Sequence, residues 1–377
     1  MVIAVNAISP RITQSASYRQ YACQLINSLV QAHPEHQFVL LMDKKAGWDY
    51  VHSKNQQIIQ FNRVFESTTA LFFLWNNVKI FFLLKKINAN LLIQPFGHFN
   101  LLTCIPQILI IHHPENSFAI KSLLFKKLFN QFLLPYVFRK AKCLITSAER
   151  NQKTMQSLFP FNADKVKLIK PSPDKGFQPL EWEQKAQVKN AFTEGNDYFL
   201  CIGSESTETD LVNILRAYSL FKKWTKSNMK LLIADSVIEK NKSLQEKIET
   251  YKYRQDLIIF SRLTQTERKE IYAAAYALIY ISDRAMIGLP LLELMQSGTP
   301  VIATANNVFT ETAENAAILV ESTDFSPIAE AMQRVYKDEK YRQQLIEKGF
   351  ERIKTCSLDT EADLFWKEIL LTVEVSS

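Results

Sequence analysis

Two groups of residues have the types and spacing to do chemistry. The first is His112-His113, which follows the apolar run Ile108 to Ile111. Such a run reads as a buried strand, and its carboxyl end is where a parallel sheet places ligands. An imidazole there can donate a hydrogen bond to a sugar hydroxyl or a phosphate and can change charge near neutral pH. The plain alternative is a strand-end histidine held by a backbone partner. His98, just after Gly97, is a weaker neighbour. No carboxylate or cysteine accompanies the three histidines at ligand spacing, so no metal site is expected. The second group lies between Asp283 and Ala303. An apolar run ending at Ile281 predicts a strand, and the turn at Gly288 leads into Pro290 as the first helical position. The helix begins near Leu289, passes Glu293 and Met295, and stops at Gly298 with Pro300 just beyond. A helix N-terminus at the carboxyl edge of a parallel sheet favours phosphate. The backbone of Gly288, Leu289, Pro290, Leu291 and Leu292 would carry that role, with the glycine letting a ligand approach.

The run Gly288-Leu-Pro-Leu-Leu-Glu293 followed by Ser297-Gly-Thr-Pro-Val-Ile-Ala303 resembles the donor-site signature of the family-4, or group 1, retaining glycosyltransferases. The resemblance is strong over residues 198 to 373 and weak over 1 to 197. It implies a GT-B architecture: an α/β chain of two Rossmann-like α/β/α domains facing each other across a cleft. It also implies a nucleoside-diphosphate sugar as donor, an acceptor that the sequence does not identify, and no metal or other cofactor. By the same resemblance Glu293 binds the ribose, His112 is the catalytic-side residue beside the reacting sugar, and His113 stands where the family has Asp. Gly203 and Ser204 open a donor-side loop. Arg262 and Leu263 lie where the nucleotide base is read, and Arg262 or Arg284 is a candidate phosphate cation.

Three departures from the family pattern fall on that donor site. Its first Glu is replaced by Ala285, and its Arg-Lys pair by Glu208 and Thr209. Its glycine-rich first loop is replaced by Ala7 to Ala16, which has no glycine, so its backbone cannot approach a ligand as closely. In that loop Arg11 either reaches an anion by side chain or is an ordinary exposed arginine. A carboxylate at 208 would repel a diphosphate. The working reading is a glycosyltransferase; the alternative is a non-catalytic binding or scaffold protein with a decayed donor site.

The elements that must position these residues follow a strand–helix alternation through 377 residues, enough for two domains. Short apolar strands are expected at Val2 to Asn6, Phe38 to Met42, Gln57 to Phe61, Leu91 to Gln94, Ile108 to Ile111, Cys143 to Ser147 and Val166 to Ile169. The proline-rich stretch Pro171 to Pro179 marks the boundary. The domains are placed at 1–175, on the acceptor side, and 176–357, on the donor side, with a C-terminal helix in 358–377 crossing back to the first. In the second domain strands are expected at Tyr198 to Ile202, Lys230 to Ala234 and Leu257 to Phe260, with one charged helix from Ile238 to Tyr251. Thr264 and Glu267 form a capping-box pattern.

Charge is unevenly divided. Residues 1–175 hold 21 Lys and Arg against 8 Asp and Glu, a net +13, while the remainder holds 24 against 30, a net −6. The basic half implies an anionic partner or surface, here read as an anionic membrane rather than nucleic acid. The apolar and basic stretch 120–142 is either an ordinary crossover helix or a membrane-surface segment. The longest other apolar run, Leu71 to Leu84, is broken by Asn76, Asn77 and Lys79, so no span of the membrane is expected. Five scattered cysteines, mostly in apolar runs, read as reduced core residues of a cytoplasmic protein, peripheral at the inner membrane face if the basic half docks there. Only 8 glycines occur, where average usage would give about 26, which argues against a glycine-rich phosphate cradle.

Overall fold

The structure is a computed structural model that describes residues 1–8, 16–44, 52–62, 69–112, 134–202, 207–234, 237–283, 285, 287–321 and 324–374. The chain divides into two compact units, Met1–Pro171 together with Leu358–Ser377, and Ser172–Ser357. The break falls in the proline-rich stretch, where Pro171, Pro173 and Pro179 each lack the amide hydrogen a sheet or helix would use.

In the first unit seven parallel strands are β1 (Val2–Asn6), β2 (Gln37–Asp43), β3 (Gln56–Phe61), β4 (Leu91–Gln94), β5 (Gln107–Ile110), β6 (Cys143–Thr146) and β7 (Val166–Leu168). Their order is β3-β2-β1-β4-β5-β6-β7. The central strands are buried on both faces, which is why they read as continuous apolar runs rather than alternating ones. Among the described residues up to Pro171 its α-helices are α1 (Ala16–Ala32), α2 (Thr69–Lys86), α3 (Leu134–Lys140) and α4 (Glu149–Leu158).

The second unit carries α5 (Trp182–Thr193), β8 (Tyr198–Ile202), α6 (Glu208–Thr225), β9 (Lys230–Ala234), α7 (Val237–Lys240), α8 (Lys242–Glu249), β10 (Leu257–Phe260) and α9 (Gln265–Ala274). It continues with β11 (Ala277–Tyr280), α10 (Leu289–Gln296), β12 (Val301–Thr304), α11 (Asn307–Ala313), β13 (Ala317–Val320), α12 (Phe325–Lys337) and α13 (Glu339–Lys354). Its parallel sheet has the order β10-β9-β8-β11-β12-β13. In both sheets the strand order reverses beside the first strand, at β1/β4 and at β8/β11, and the crevice at such a switch point is where open α/β sheets bind ligands. The last helix, α14 (Leu358–Glu374), belongs to the first unit. It packs beside α1, where Trp366 stacks on His33 with ring centroids 3.6 Å apart.

Asn76 and Asn77 interrupt the apolar run of α2 for a reason the sequence did not disclose. Asn6 donates to Asn76 Oδ1 and to Gln94 Oε1 at 2.8 and 2.9 Å, and Asn100 donates to the carbonyls of Asn76 and Asn77. Gln107 donates to Asn100 O, and Asn77 Oδ1 accepts from Leu101 N. These amides are nearly all inaccessible, and a fully partnered polar network of this kind specifies one arrangement of its elements. It ties α2 to the carboxyl ends of β1 and β4 and fixes the loop that carries His98.

Several local expectations are corrected. The single charged helix from 238 to 251 is two, because Asn241 leaves helical geometry and caps α8 by accepting from Leu244 N at 3.1 Å. Helix α5 was not anticipated; its signal is Glu181 with Gln184, a reciprocal capping box with Glu in place of Ser or Thr. Pro290 is the second residue of α10, after Leu289. Of the cysteines only Cys143 and Cys201 are buried, and Cys104 is exposed.

Candidate functional site

In the second unit α10 follows β11, so its N-terminus lies at the carboxyl side of the sheet. Gly298 ends it at φ +74°, a left-handed conformation that glycine adopts without strain. At the other end Gly288 has φ −81°, and a Cβ there would stand 2.6 Å from Thr312 Cβ. Packing against α11 therefore requires the glycine on its own account. Pro290 has no amide hydrogen, and Leu291 N and Leu292 N both donate to Gly288 O at 3.1 and 3.3 Å. Donors toward an anion from this end thus come from the amides of Gly288 and Leu289.

Glu293, one turn further on, is completely buried and ion-paired with Arg268 of α9, Oε1 to Nη2 at 3.2 Å. Arg268 lies over the rings of Phe177 and Tyr272, with centroids 5.1 and 5.7 Å away. Gln296 donates to the carbonyls of Asp174 and Phe177 at 2.9 and 2.7 Å, anchoring the chain that supplies that ring. A buried carboxylate needs such a partner, since an isolated charge out of water costs several kcal/mol. Arg268 had no sequence signal: it sits between Glu267 and Lys269 on an ordinary capped helix. The Thr264–Glu267 capping box that starts this helix forms as expected. Just before it Leu263 is partly buried, and Arg262 is exposed with no ion pair among the described residues. Ala285 is buried within an apolar cluster that includes Tyr280, Leu291 and Phe309.

Glu208 does not meet the expectation of a carboxylate repelling a phosphate. It is the first residue of α6 and turns to α8, taking hydrogen bonds from Lys247, Asn241 and Ser243 at 2.6, 2.8 and 3.0 Å. The hydrogen bond from Lys247, then those from Asn241 and Ser243, pull its carboxyl down to about 2. Its charge is spent on holding α8 to α6. Thr209 is exposed beside it.

In the first unit His112 stands two residues past β5, and only 2% of it is exposed. Its Nδ1 is 2.6 Å from Ser147 Oγ, at the end of β6, and Asn151 of α4 donates to its carbonyl. Tyr18 and Tyr21 of α1 meet the ring edge-on, with centroids 4.4 and 5.1 Å away. Tyr18 is set by donating to Ile110 O at 3.1 Å. Burial, then the Glu361 carboxylate of α14, pushes the Tyr21 hydroxyl well up. Burial lowers the His112 imidazole to about 3, so it stays neutral at physiological pH, against the expectation of a group that changes charge there. Nε2 is buried without a hydrogen-bond partner among the described residues. His98, half-buried against Phe72 at 5.1 Å, is lowered by burial to about 4. Arg11, His113, Gly203, Ser204 and Arg284 lie outside the described residues, as does most of 120–142. No cluster of metal-ligating side chains occurs among the described residues, and none of their helices is long and apolar enough to cross a membrane.

Two parallel sheets with reversed strand order, one in each of two α/β units, define the GT-B class, and solved structures agree. HepE of Anabaena in complex with UDP and glucose superimposes with a TM-score of 0.77 at 10% identity, over 98% of this chain and 99% of that one. WaaG, a glycosyltransferase involved in lipopolysaccharide biosynthesis, does so with a TM-score of 0.72 at 15% identity, over 96% of this chain and 98% of that one. Residues 183–352, nearly all of the second unit, match the model of the family described as glycosyl transferases group 1. A curated relative is the O-antigen chain mannosyltransferase RfbU of Salmonella typhimurium, 24% identical over 212 residues, 56% of this chain and 56% of that protein. The matched stretches span only 54–57% of the length of the curated relatives.

Proposed function

We propose that the chain is a glycosyltransferase moving a sugar from a nucleoside-diphosphate donor, held by the second unit, to a glycan acceptor served by the first. The observation that carries this is Glu293, buried in α10 and fixed by Arg268 at 3.2 Å, inside the stretch that matches the group 1 family model. A carboxylate held at one angle by a guanidinium is prepared to accept hydrogen bonds from a ribose. The diphosphate then lies at the amides of Gly288 and Leu289, with the exposed Arg262 as a candidate cation. In the first unit His112, neutral and with Nε2 unpaired among the described residues, offers one hydrogen bond to a sugar hydroxyl. No metal enters this reading, because amide donors and side-chain cations carry the phosphate charge. The donor sugar is proposed from mannose, named for the relative RfbU, and glucose, found with UDP in HepE. Titration calorimetry with UDP-glucose and a nucleotide-activated mannose tests the site: Glu293→Ala should weaken donor binding by about 1–3 kcal/mol. Unchanged affinity would remove the ribose role.

A second reading is favoured by one observation. Ala285 is sealed into an apolar cluster, where the family's carboxylate would touch the donor sugar. Under that reading the chain binds a glycan or nucleotide without transferring sugar, and donor binding without turnover is its signature.

The basic charge of residues 1–175 supports a placement at the cytoplasmic face of an anionic membrane. Binding to anionic vesicles should then fall with added salt, since screening shortens the reach of charge to about 8 Å at physiological ionic strength.

A further inference from the structure

We propose that the outward face of α2 is the surface by which the first unit docks on an anionic lipid bilayer, a refinement that rests on the membrane placement proposed above. A crossover helix on a parallel sheet buries one stripe and turns a polar one to water. Helix α2 buries Phe72, Asn76, Ile80 and Leu84. The opposite face carries Leu74, Val78 and Phe82, one per turn, exposed to 60%, 39% and 65%. Asn77 accepts from Leu101 N, beside the exposed Leu102, and Leu101 O accepts from Lys140 Nζ of α3, whose ammonium lies over the exposed ring of Tyr136.

The charge around this patch selects its occupant. From Thr69 to Lys86 the helix has no Asp or Glu and has three lysines, Lys79, Lys85 and Lys86. Lys79 and Lys85 lie over the rings of Phe61 and Phe81, and none of the three is ion-paired with a carboxylate among the described residues. A second copy is a poor occupant, because a two-fold contact would set this face against itself, lysine against lysine, with no carboxylate to compensate. An anionic bilayer satisfies both features. The aliphatic and aromatic side chains enter the headgroup and acyl boundary while the lysines stay at the phosphates, with the helix axis parallel to the surface.

The test is co-sedimentation of the full chain with vesicles of phosphatidylcholine alone or mixed with phosphatidylglycerol. Leu74→Gln with Val78→Gln and Phe82→Gln should weaken binding to the anionic vesicles by about tenfold or more. Because all three side chains are exposed, donor-nucleotide affinity should be unchanged. Lys79→Glu with Lys85→Glu and Lys86→Glu should abolish binding and its salt dependence, a second route to the same answer that leaves the apolar residues in place. Trp182→Gln, which alters an exposed aromatic of the second unit, should change nothing. If the native chain binds in a salt-sensitive manner and the glutamine variant binds equally well, the α2 surface is overturned while the membrane placement stands. Absence of binding by the native chain overturns both. Loss of a dimer in the glutamine variant, with vesicle binding intact, would instead assign the face to a second copy.

Discussion

At the scale of single residues, the pair Glu293–Arg268 separates a structural role from a binding role. Replacing Glu293 by Gln leaves a mostly buried guanidinium without its counter-charge and should lower stability by about 1–3 kcal/mol, less than a fully buried pair because Arg268 keeps some exposure. Adding Arg268→Met should restore most of that loss by removing the unpaired cation. Donor affinity should not return with it, since the proposed ribose contact needs the carboxylate. Chemical denaturation and calorimetry on the two variants read the two quantities separately. His112 gives a residue-scale prediction in pH. Its folded-state value near 3 lies below the ordinary 6.5, so the unfolded chain takes up a proton that the folded chain refuses. That contribution is absent above pH 6.5, and below it stability falls as pH drops toward 3, by up to about 1.4 kcal/mol per pH unit. His112→Asn should flatten this part of the profile, and an unaltered slope would show that the ring is solvated. Glu293 and His112 could be picked out in the sequence because motif and strand-end position mark them. Arg268, Ser147, Tyr18 and Tyr21 could not, because only the packing of distant elements brings them to those two residues.

At the scale of elements, the strand and helix pattern was readable wherever burial is two-sided, as in β8 or β11, or where a cap is written in the chain, as at Thr264. It failed where a polar residue acts through a non-local partner. Asn241 splits a helix by capping, and Asn76 and Asn77 interrupt an apolar helix in order to hold β1 and β4. Glu208 is the sharpest case: its position relative to the family pattern suggested repulsion of a phosphate, yet its side chain leaves for α8. Its depressed value sets another prediction. The Lys247, Asn241 and Ser243 bonds stabilise the fold above the ordinary carboxyl value of 4.5 and are lost as pH falls through about 2. Glu208→Gln should therefore lower the unfolding midpoint at neutral pH, with the difference from the native chain narrowing as pH falls below 4.5. A constant difference across that range would mean that the ion pair with Lys247 contributes nothing.

At the scale of the whole molecule, each unit repeats one device, a parallel sheet whose first strand sits beside the reversal of strand order, and the candidate residues follow strand ends, His112 after β5 and Glu293 on the helix after β11. The sequence made the second unit the plainer of the two, since α10 and Glu293 lie within one motif. The first unit was harder to read because its polar network joins residues up to 88 positions apart. The central claim is that the native chain binds a nucleotide sugar and transfers its sugar. It is tested most directly by titrating the unmodified protein with a panel of nucleotide sugars and following release of the nucleoside diphosphate over time. The account predicts a dissociation constant in the micromolar to millimolar range, about −8 to −4 kcal/mol, for at least one donor, lost in Glu293→Ala, together with measurable turnover. Silence toward every donor, or binding with no turnover in the presence of glycan acceptors, would contradict it.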